Sequence, residues 1–281
     1  MKNLHNQVVA ISGAGSGIGR ALAHEFARHG CLLSLSDINL NAANDTAAQL
    51  QARGGQVITQ QVDVGSLEQV TDWAERTRAH FGRINVVVNN AGVALSGTVG
   101  ALSMRDYEWI MQINFWGVVY GTKVFLPHLE ASGSGHIVNI SSVFGLSAQP
   151  LMSGYNASKF AVRGFTESLR QDLDLARSCV SASCVHPGGI KTNIAQAARV
   201  DASVAAATGK SAADATREFE TSFITTPARA AQVIVRGVQR DQRRILIGPD
   251  ARLLDWVVRL MPALYQRLFV AAVRWRKGKA S

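Results

Sequence analysis

Seven short runs of apolar, often β-branched residues recur along this chain, at 7–12, 31–36, 56–62, 84–89, 136–140, 180–185 and 244–247. Between them, at 17–29, 41–52, 67–81, 102–130, 155–176 and 227–240, apolar residues recur at helical spacing. A run that is apolar on both faces is a strand buried beneath helices, and strands alternating with helices of this length are βαβ units. The rhythm predicts an α/β fold, a doubly wound sheet of about seven parallel strands flanked by helices, as a single domain over residues 1–250. Two segments interrupt it. Residues 193–226 are rich in Ala, Ser and Thr and too long for a crossover, so they are expected to form a helical lid over a substrate. Residues 251–281 form a C-terminal extension.

Composition narrows the function classes. Apolar residues make up 47% and charged residues 17% of 281, ample for a large core and unlike a disordered chain. The longest apolar runs fall short of the roughly 18–20 residues of a membrane-spanning helix. The first residues lack the apolar core and cleavage site of a signal peptide. Cys31, Cys179 and Cys184 have neither CxxC nor metal-ligand spacing. A reducing, cytoplasmic setting without a disulfide scaffold or a metal is therefore expected. Net charge is +9, but the last 31 residues hold seven basic residues against Asp255 alone, so +6 belongs to the tail. The main domain is thus no candidate for nucleic acid.

Residues 12–19, Ser-Gly-Ala-Gly-Ser-Gly-Ile-Gly, follow the first strand and open a helix. Ile18 breaks the GxGxxG pattern; Gly13, Gly17 and Gly19 make GxxxGxG instead. Glycines let the backbone approach a pyrophosphate, and a helix N-terminus offers it unpaired N–H groups. Asp37 ends the second strand, 24 residues beyond Gly13. A carboxylate there can accept the ribose hydroxyls of an adenosine and opposes a 2′-phosphate, at roughly 4 kcal/mol per unit of like charge at ~4 Å. NAD is therefore expected over NADP. Arg20 stands close enough in sequence to offset this, and as a simpler role Asp37 could cap the next helix.

Tyr155 and Lys159 lie four apart and share a helix face. A tyrosine serving as a base near neutrality needs its pKa lowered by about 3 units, roughly 4 kcal/mol, which a neighbouring ammonium and a cationic nicotinamide could supply. Ser142, just past the strand at 136–140, can hold a substrate oxygen. These residues lie at the carboxyl end of a parallel strand, where open α/β sheets bind ligands.

Taken together the chain resembles the short-chain dehydrogenase/reductase family over about residues 5–250, in its single-domain Rossmann form. The resemblance rests on SGAGSGIG, with Ser12 where the family has Thr, on Asp63-Val64, on Asn89-Asn90-Ala91-Gly92, on Asn114 in QINFWG, on Ser142, Tyr155 and Lys159, and on His186-Pro187-Gly188-Gly189 followed by Thr192. It implies a catalytic tetrad of Asn114, Ser142, Tyr155 and Lys159. It also implies a cofactor site at Gly13, Ser16, Gly17, Ile18, Gly19, Asp37, Asp63, Val64, Asn90, Ala91, Gly92, Tyr155, Lys159, Pro187, Gly188, Ile190 and Thr192. In oxidation, Tyr155 would take the hydroxyl proton while a hydride passes to the nicotinamide. Ser142 would position the oxygen, Lys159 would lower the tyrosine pKa and bind ribose, and Asn114 would hold a water linking Lys159 to solvent.

By family position the substrate would meet Leu95, Ser142, Phe144, Leu146, Met152, Tyr155, Gly189 and Ile190. With no Arg or Lys among them, a lipophilic ketone or secondary alcohol is expected, such as a steroid-like, retinoid-like or medium-chain compound. The helix at 102–130, with Trp109, Phe115 and Trp116, and the Tyr155 helix would serve core and subunit interface, giving a homodimer or homotetramer. His186 is expected to be structural. The alternatives are a non-catalytic nucleotide-binding regulator on the same fold, which typically lacks the Tyr or Lys, and a surface-binding protein driven by the basic tail. In that tail Leu264, Leu268, Ala271 and Trp275 form an apolar stripe beside Arg267 and Arg274, in a helix that Pro262 could start. Packing on the domain or a subunit is favoured there over peripheral contact with a membrane.

Overall fold

The computed structural model describes residues 1–211, 214, 217, 221 and 223–278. All seven expected strands are present: β1 (Val8–Ser12), β2 (Leu32–Asp37), β3 (Val57–Gln61), β4 (Val86–Asn89), β6 (Gly135–Ile140), β7 (Val180–Pro187) and β9 (Arg244–Ile247). They form one parallel sheet in the order β3-β2-β1-β4-β6-β7-β9. A second, two-stranded parallel pair joins β5 (Leu95–Ser96) to β8 (Arg199–Val200). From β1 the chain winds outward to β2 and β3, then returns to place β4 on the other side. The direction reverses between β1 and β4, and ligands of such sheets bind at the carboxyl ends beside that reversal.

Strand alternation divides the core into two layers. Val9, Ile11, Val86, Val88, Val138 and Ile140 face one layer, against Leu22 and Phe26 of α1 (Gly17–Arg28). The same layer takes Ile234, Val235 and Val238 of α8 (Pro227–Gln239). Ala10, Val87 and Ile137 face the other layer, with Trp73 of α3 (Leu67–Phe81), Phe125 and Leu129 of α5 (Gly117–Ala131), and Leu173 of α6 (Ser153–Leu175). Helix α2 (Leu40–Gln51) closes the β2–β3 crossover. Local chemistry sets several helix starts. Asn39 accepts from Ala42 N to begin α2, and Thr226 caps α8 with Pro227 in its first turn.

One expectation needs correction. The helix expected over 102–130 is interrupted: α4 (Met104–Met111) passes through a π-helical turn, Gln112–Trp116, before α5 begins. A π turn inserts an extra residue into the ladder and recurs at functional sites; Asn114 stands in this one. The tail contains the helix expected to start near Pro262 and a second helix ahead of it. These are α10 (Leu264–Gly278) and α9 (Pro249–Leu260). Among the described residues no helix is long and apolar enough to cross a membrane.

The segment expected as a lid is tied down in its first half. β8 pairs with β5, Asp201 N donates to Ser96 O at 2.8 Å, and Thr98 N donates to Ser203 Oγ at 3.0 Å. A short helix, α7 (Ser203–Thr208), follows and ends at Gly209. Of the remainder, residues 212, 213, 215, 216, 218–220 and 222 lie outside the described residues.

Candidate active site

The glycine turn after β1 is crowded in a way only glycine tolerates. A side chain at Gly13 (φ +64°) would meet Ala91 Cα at 2.9 Å, and one at Gly19 would strike the Gly13 carbonyl. Asn90 Nδ2 donates to Ser12 O and Gly13 O, at 2.9 and 3.2 Å. Ser12 Oγ accepts from Asn90 N and Ala91 N, at 3.0 and 3.1 Å, so serine suffices where the family has threonine. The 90–92 segment is therefore clamped to the turn, and Asn90 acts through the backbone it braces. Ser16, the N-cap of α1, makes no side-chain capping bond, and the first turn holds no acidic residue. Those N–H groups are left for an anionic ligand. Thr192 stands opposite Gly17, its Cγ2 only 3.1 Å from where a Cβ would lie. The cradle fits a dinucleotide pyrophosphate.

At the end of β2, Asp37 Oδ2 accepts from Gly15 N at 2.9 Å and Oδ1 from Asn39 N at 3.0 Å. The capping residue of α2 is Asn39, not Asp37. Arg20 is no free cation beside it: its guanidinium donates to Gly15 O and, at 3.1 Å, to Thr46 Oγ1. Asp63 Oδ1 accepts from Gly65 N at 2.8 Å, and Val64 lies against Gly117. On the far side Gly188 N donates to Ile247 O at 2.9 Å and Gly189 N to Asp250 Oδ2 at 2.6 Å. Ile190 bridges to Thr225. Asp250, which fills the space a side chain at Gly188 would take, braces this loop and had no motif to reveal it.

The tetrad residues converge between these walls. Tyr155 and Lys159 start α6, where Leu151 just upstream sits in the left-handed region (φ +63°) and accepts from Gly97 N at 2.8 Å. Lys159 Nζ donates to Ile140 O at 3.1 Å and lies 5.7 Å from the centre of the Tyr155 ring. Ser142 Oγ accepts from Phe144 N at 3.1 Å and is hydrogen-bonded to Tyr155. Asn114 is wholly buried. Its Oδ1 accepts from Val93 N at 2.8 Å, and its Nδ2 donates to Val93 O at 3.0 Å and Ser158 Oγ at 3.1 Å. Gly92 lies between Asn114 and Lys159, within 3.4 Å of both at its Cβ position.

Burial decides the protonation states. It pushes the Tyr155 phenol up to about 12, opposed by the Ser142 hydrogen bond, and the Lys159 ammonium down to about 8, opposed by Cys184. The lowered tyrosine pKa expected from YxxxK is thus not a property of the chain's own groups, which hold Tyr155 as a phenol at neutral pH. His186 is fully buried, and burial lowers its pKa to about 4. As a neutral ring it donates from Nδ1 to Ser142 O at 2.9 Å, which fixes the backbone of the residue that grips Tyr155.

The apolar wall holds Leu95, Phe144, Met152 and Tyr155, with Ile110, Trp109, Ile194 and Ala198. Phe144 packs edge-on to Tyr155 at 5.8 Å. Leu95, a member of that wall, and Leu146 are both buried, 1% and 3% exposed, and offer a substrate little surface. Trp109, expected in the core or an interface, packs against this buried cluster as expected. One residue at the wall escaped sequence reasoning. Arg199, brought in by β8, stacks on the Trp109 ring at 3.6 Å and lies 3.7 Å from Asp106. A basic residue does therefore stand at the wall, with its charge already answered by Asp106.

Fold and site together define a doubly wound oxidoreductase with a nicotinamide dinucleotide cradle. The chain matches the family model for short chain dehydrogenases over residues 7–203. It is 46% identical over 274 residues to putative oxidoreductase SadH of Mycobacterium tuberculosis, covering 97% of each chain. It is 35% identical over 192 residues, 68% of this chain and 64% of the other, to estradiol 17-beta-dehydrogenase 11 of Mus musculus. A short-chain dehydrogenase/reductase from Burkholderia phymatum, solved in complex with NAD, superposes with a TM-score of 0.86 at 31% identity, covering 95% and 97% of the two chains. The protein is an oxidoreductase belonging to the short-chain dehydrogenase/reductase family.

Proposed function

We propose that this protein interconverts a secondary alcohol and its ketone, prefers NAD(H), and acts on a lipophilic carbon skeleton. The observation that carries the reading is the meeting of Tyr155, Ser142 and Lys159 in one buried corner beside the glycine cradle. The bound nicotinamide supplies hydride transfer at its ring. The chain supplies the rest. Gly13, Ser16, Gly17, Ile18 and Gly19 would hold the pyrophosphate, and Asp63 and Val64 would receive the adenine. Ala91, Gly92 and Lys159, with Asn90 bracing them, would receive the nicotinamide ribose, and Pro187, Gly188, Ile190 and Thr192 its ring.

In ketone reduction the Tyr155 phenol gives its proton to the carbonyl oxygen while Ser142 Oγ holds that oxygen. Lys159 stabilises the phenolate left behind, and a water beside Asn114 returns a proton through Lys159. In oxidation the same atoms run the proton the other way. Burial keeps the Tyr155 phenol protonated at neutral pH, so the proton-bearing form that reduction needs is the one present. Asp37 supports NAD(H): its carboxylate stands at the turn, where it opposes a 2′-phosphate, and the Arg20 guanidinium is held on Gly15 O and Thr46 Oγ1. The apolar wall around Phe144, Met152 and Trp109 supports a lipophilic substrate, as does the steroid in the mouse relative's name. Trp116 and Phe160, 44% and 39% exposed on the Asn114 turn and α6, support a homodimer or homotetramer. The free thiols of Cys31, Cys179 and Cys184 support a reducing cytoplasm.

The test is a panel of ketones and secondary alcohols, graded in polarity, followed by nicotinamide absorbance with NADH and NADPH. Turnover confined to apolar members with NADH is expected. Tight NADH binding with no turnover across the panel would favour the non-catalytic regulator. Asp37→Ala should lower the NADH over NADPH preference by about tenfold or more; a wild type that binds NADPH more tightly removes the cofactor part of the proposal.

A further inference from the structure

We propose that the two C-terminal helices, α9 and α10, form a docking face for an anionic lipid bilayer. Seven of the fifteen large apolar side chains exposed among the described residues lie between Leu253 and Trp275. On α9 they follow one stripe: Leu253, Trp256 and Leu260 are 67%, 64% and 72% exposed. On α10 Leu264 and Leu268 are 47% and 50% exposed. Monomeric soluble proteins rarely leave apolar side chains at this density in water without a partner for them.

One edge of α10 is already committed to the body of the protein. Tyr265 is 5% exposed and its hydroxyl accepts from Ala148 N at 3.2 Å, and the helix touches α7. The helix is therefore anchored, and its leucine stripe lies beside the anchor and stays exposed.

Charge selects the occupant. Arg252 and Arg259 stand two turns apart on α9, as do Arg267 and Arg274 on α10, all four exposed. Of the two acidic residues of these helices, Asp250 is held on Gly189 N at 2.6 Å and Asp255 pairs with Arg244 and Arg259 at 3.4 and 3.0 Å. A second copy meeting this face through a two-fold axis would set arginine against arginine, because such an interface uses the same patch on both subunits. An anionic bilayer complements it: an amphipathic helix lies in the headgroup region with apolar side chains below and basic ones among the phosphates.

The assay needs no substrate, so it stands apart from the substrate reading. Full-length protein is sedimented with vesicles of phosphatidylcholine alone or equimolar phosphatidylglycerol and phosphatidylcholine, at low and high salt. The wild type is expected to pellet with the anionic vesicles alone and to be released by salt. Arg267→Glu with Arg274→Glu should lower partitioning about thirtyfold or more, and Leu264→Asp with Leu268→Asp should abolish it. Each variant is checked for an unchanged melting temperature. In the unaltered fold, Trp256 fluorescence should shift to the blue on anionic vesicles, and Trp256→Phe should remove most of that shift. A wild type that ignores anionic vesicles, or double variants that bind as well as it does, would overturn the proposal. So would a wild type that stays off vesicles while the leucine double variant splits an oligomer, which would assign the face to a second copy.

Discussion

Tyr155 illustrates how far a single residue can be read. Its place four before Lys159 was visible in the sequence, but its protonation state was not, because that depends on what buries it. With the phenol held at about 12 and the ammonium at about 8, ketone reduction should proceed at neutral pH and fade as the solution becomes alkaline, while oxidation should gain. A reduction rate that rises between neutral and alkaline pH would contradict this order. Tyr155→Phe keeps the ring packing against Phe144 and deletes the proton, so turnover should fall by about a hundredfold or more with cofactor affinity kept. Lys159→Ala should damage both, measured as kcat and as NADH affinity. His186 acts at one remove, through the Ser142 carbonyl, and no motif distinguished it from a buried histidine of any other kind.

Elements show where local rules gave way to packing. The stretch at 102–130 has helical periodicity throughout, and periodicity is blind to a π turn, which adds one residue without changing which residues are apolar. The turn places Asn114 against Val93 and Ser158, so the irregularity serves the site. Just beyond it, Gly121 of α5 lies on Asn89 of β4, and a side chain there would strike Asn89 Oδ1. Asn89 in turn donates to Asn139 Oδ1 at 2.8 Å, and Asn139 donates to Thr166 Oγ1 at 3.0 Å, a buried polar chain from sheet to α6. Gly121→Ala should cost about 1–3 kcal/mol by overpacking this chain, lowering the melting temperature by several degrees; an unchanged midpoint would mean that α5 yields. In the lid, hydrogen exchange at 199–203 should be slow with or without ligand, since β8 and Ser203 are pinned to residues 94–98.

For the whole molecule, buried histidines set the acid limb of stability. His136 is fully buried between Ser181 and Ser183, with Asp241 4.0 Å away and Arg170 near, and burial lowers its pKa to about 3. His186 is lowered to about 4. Between these values and the ordinary 6.5 the unfolded chain binds protons that the folded chain refuses, so stability falls as pH drops through that window. The lowered carboxylates, such as Asp241 beside Arg170, act at still lower pH. From pH 7 to 5 each histidine should therefore remove about 2 kcal/mol of stability, read by denaturant titration at both values. His136→Gln should abolish about half of that loss; an unchanged pH dependence would show that His136 stays neutral for another reason.

The parallel direction of the strands, the glycine turn after β1 and the pairing of Tyr155 with Lys159 on one helix face followed from the sequence alone, while Asn114 and the tetrad as a set came from the resemblance to the family. The first group rests on near-neighbour regularities: alternation of strand with helix, spacing within one helix, and glycine where the backbone must turn left. Tertiary structure decided whatever depends on residues far apart in the chain. Arg199 reaches Trp109 only because β8 pairs with β5 about a hundred residues away. Asp250 reaches the Gly188 loop only because α9 begins at its edge. The apolar stripe of the tail, expected to pack on the domain or on a subunit, is not covered by the domain, because the neighbouring Tyr265 is the residue of α10 that docks. Periodicity marks a face as apolar; only the competition between faces for the same neighbour settles which one is buried.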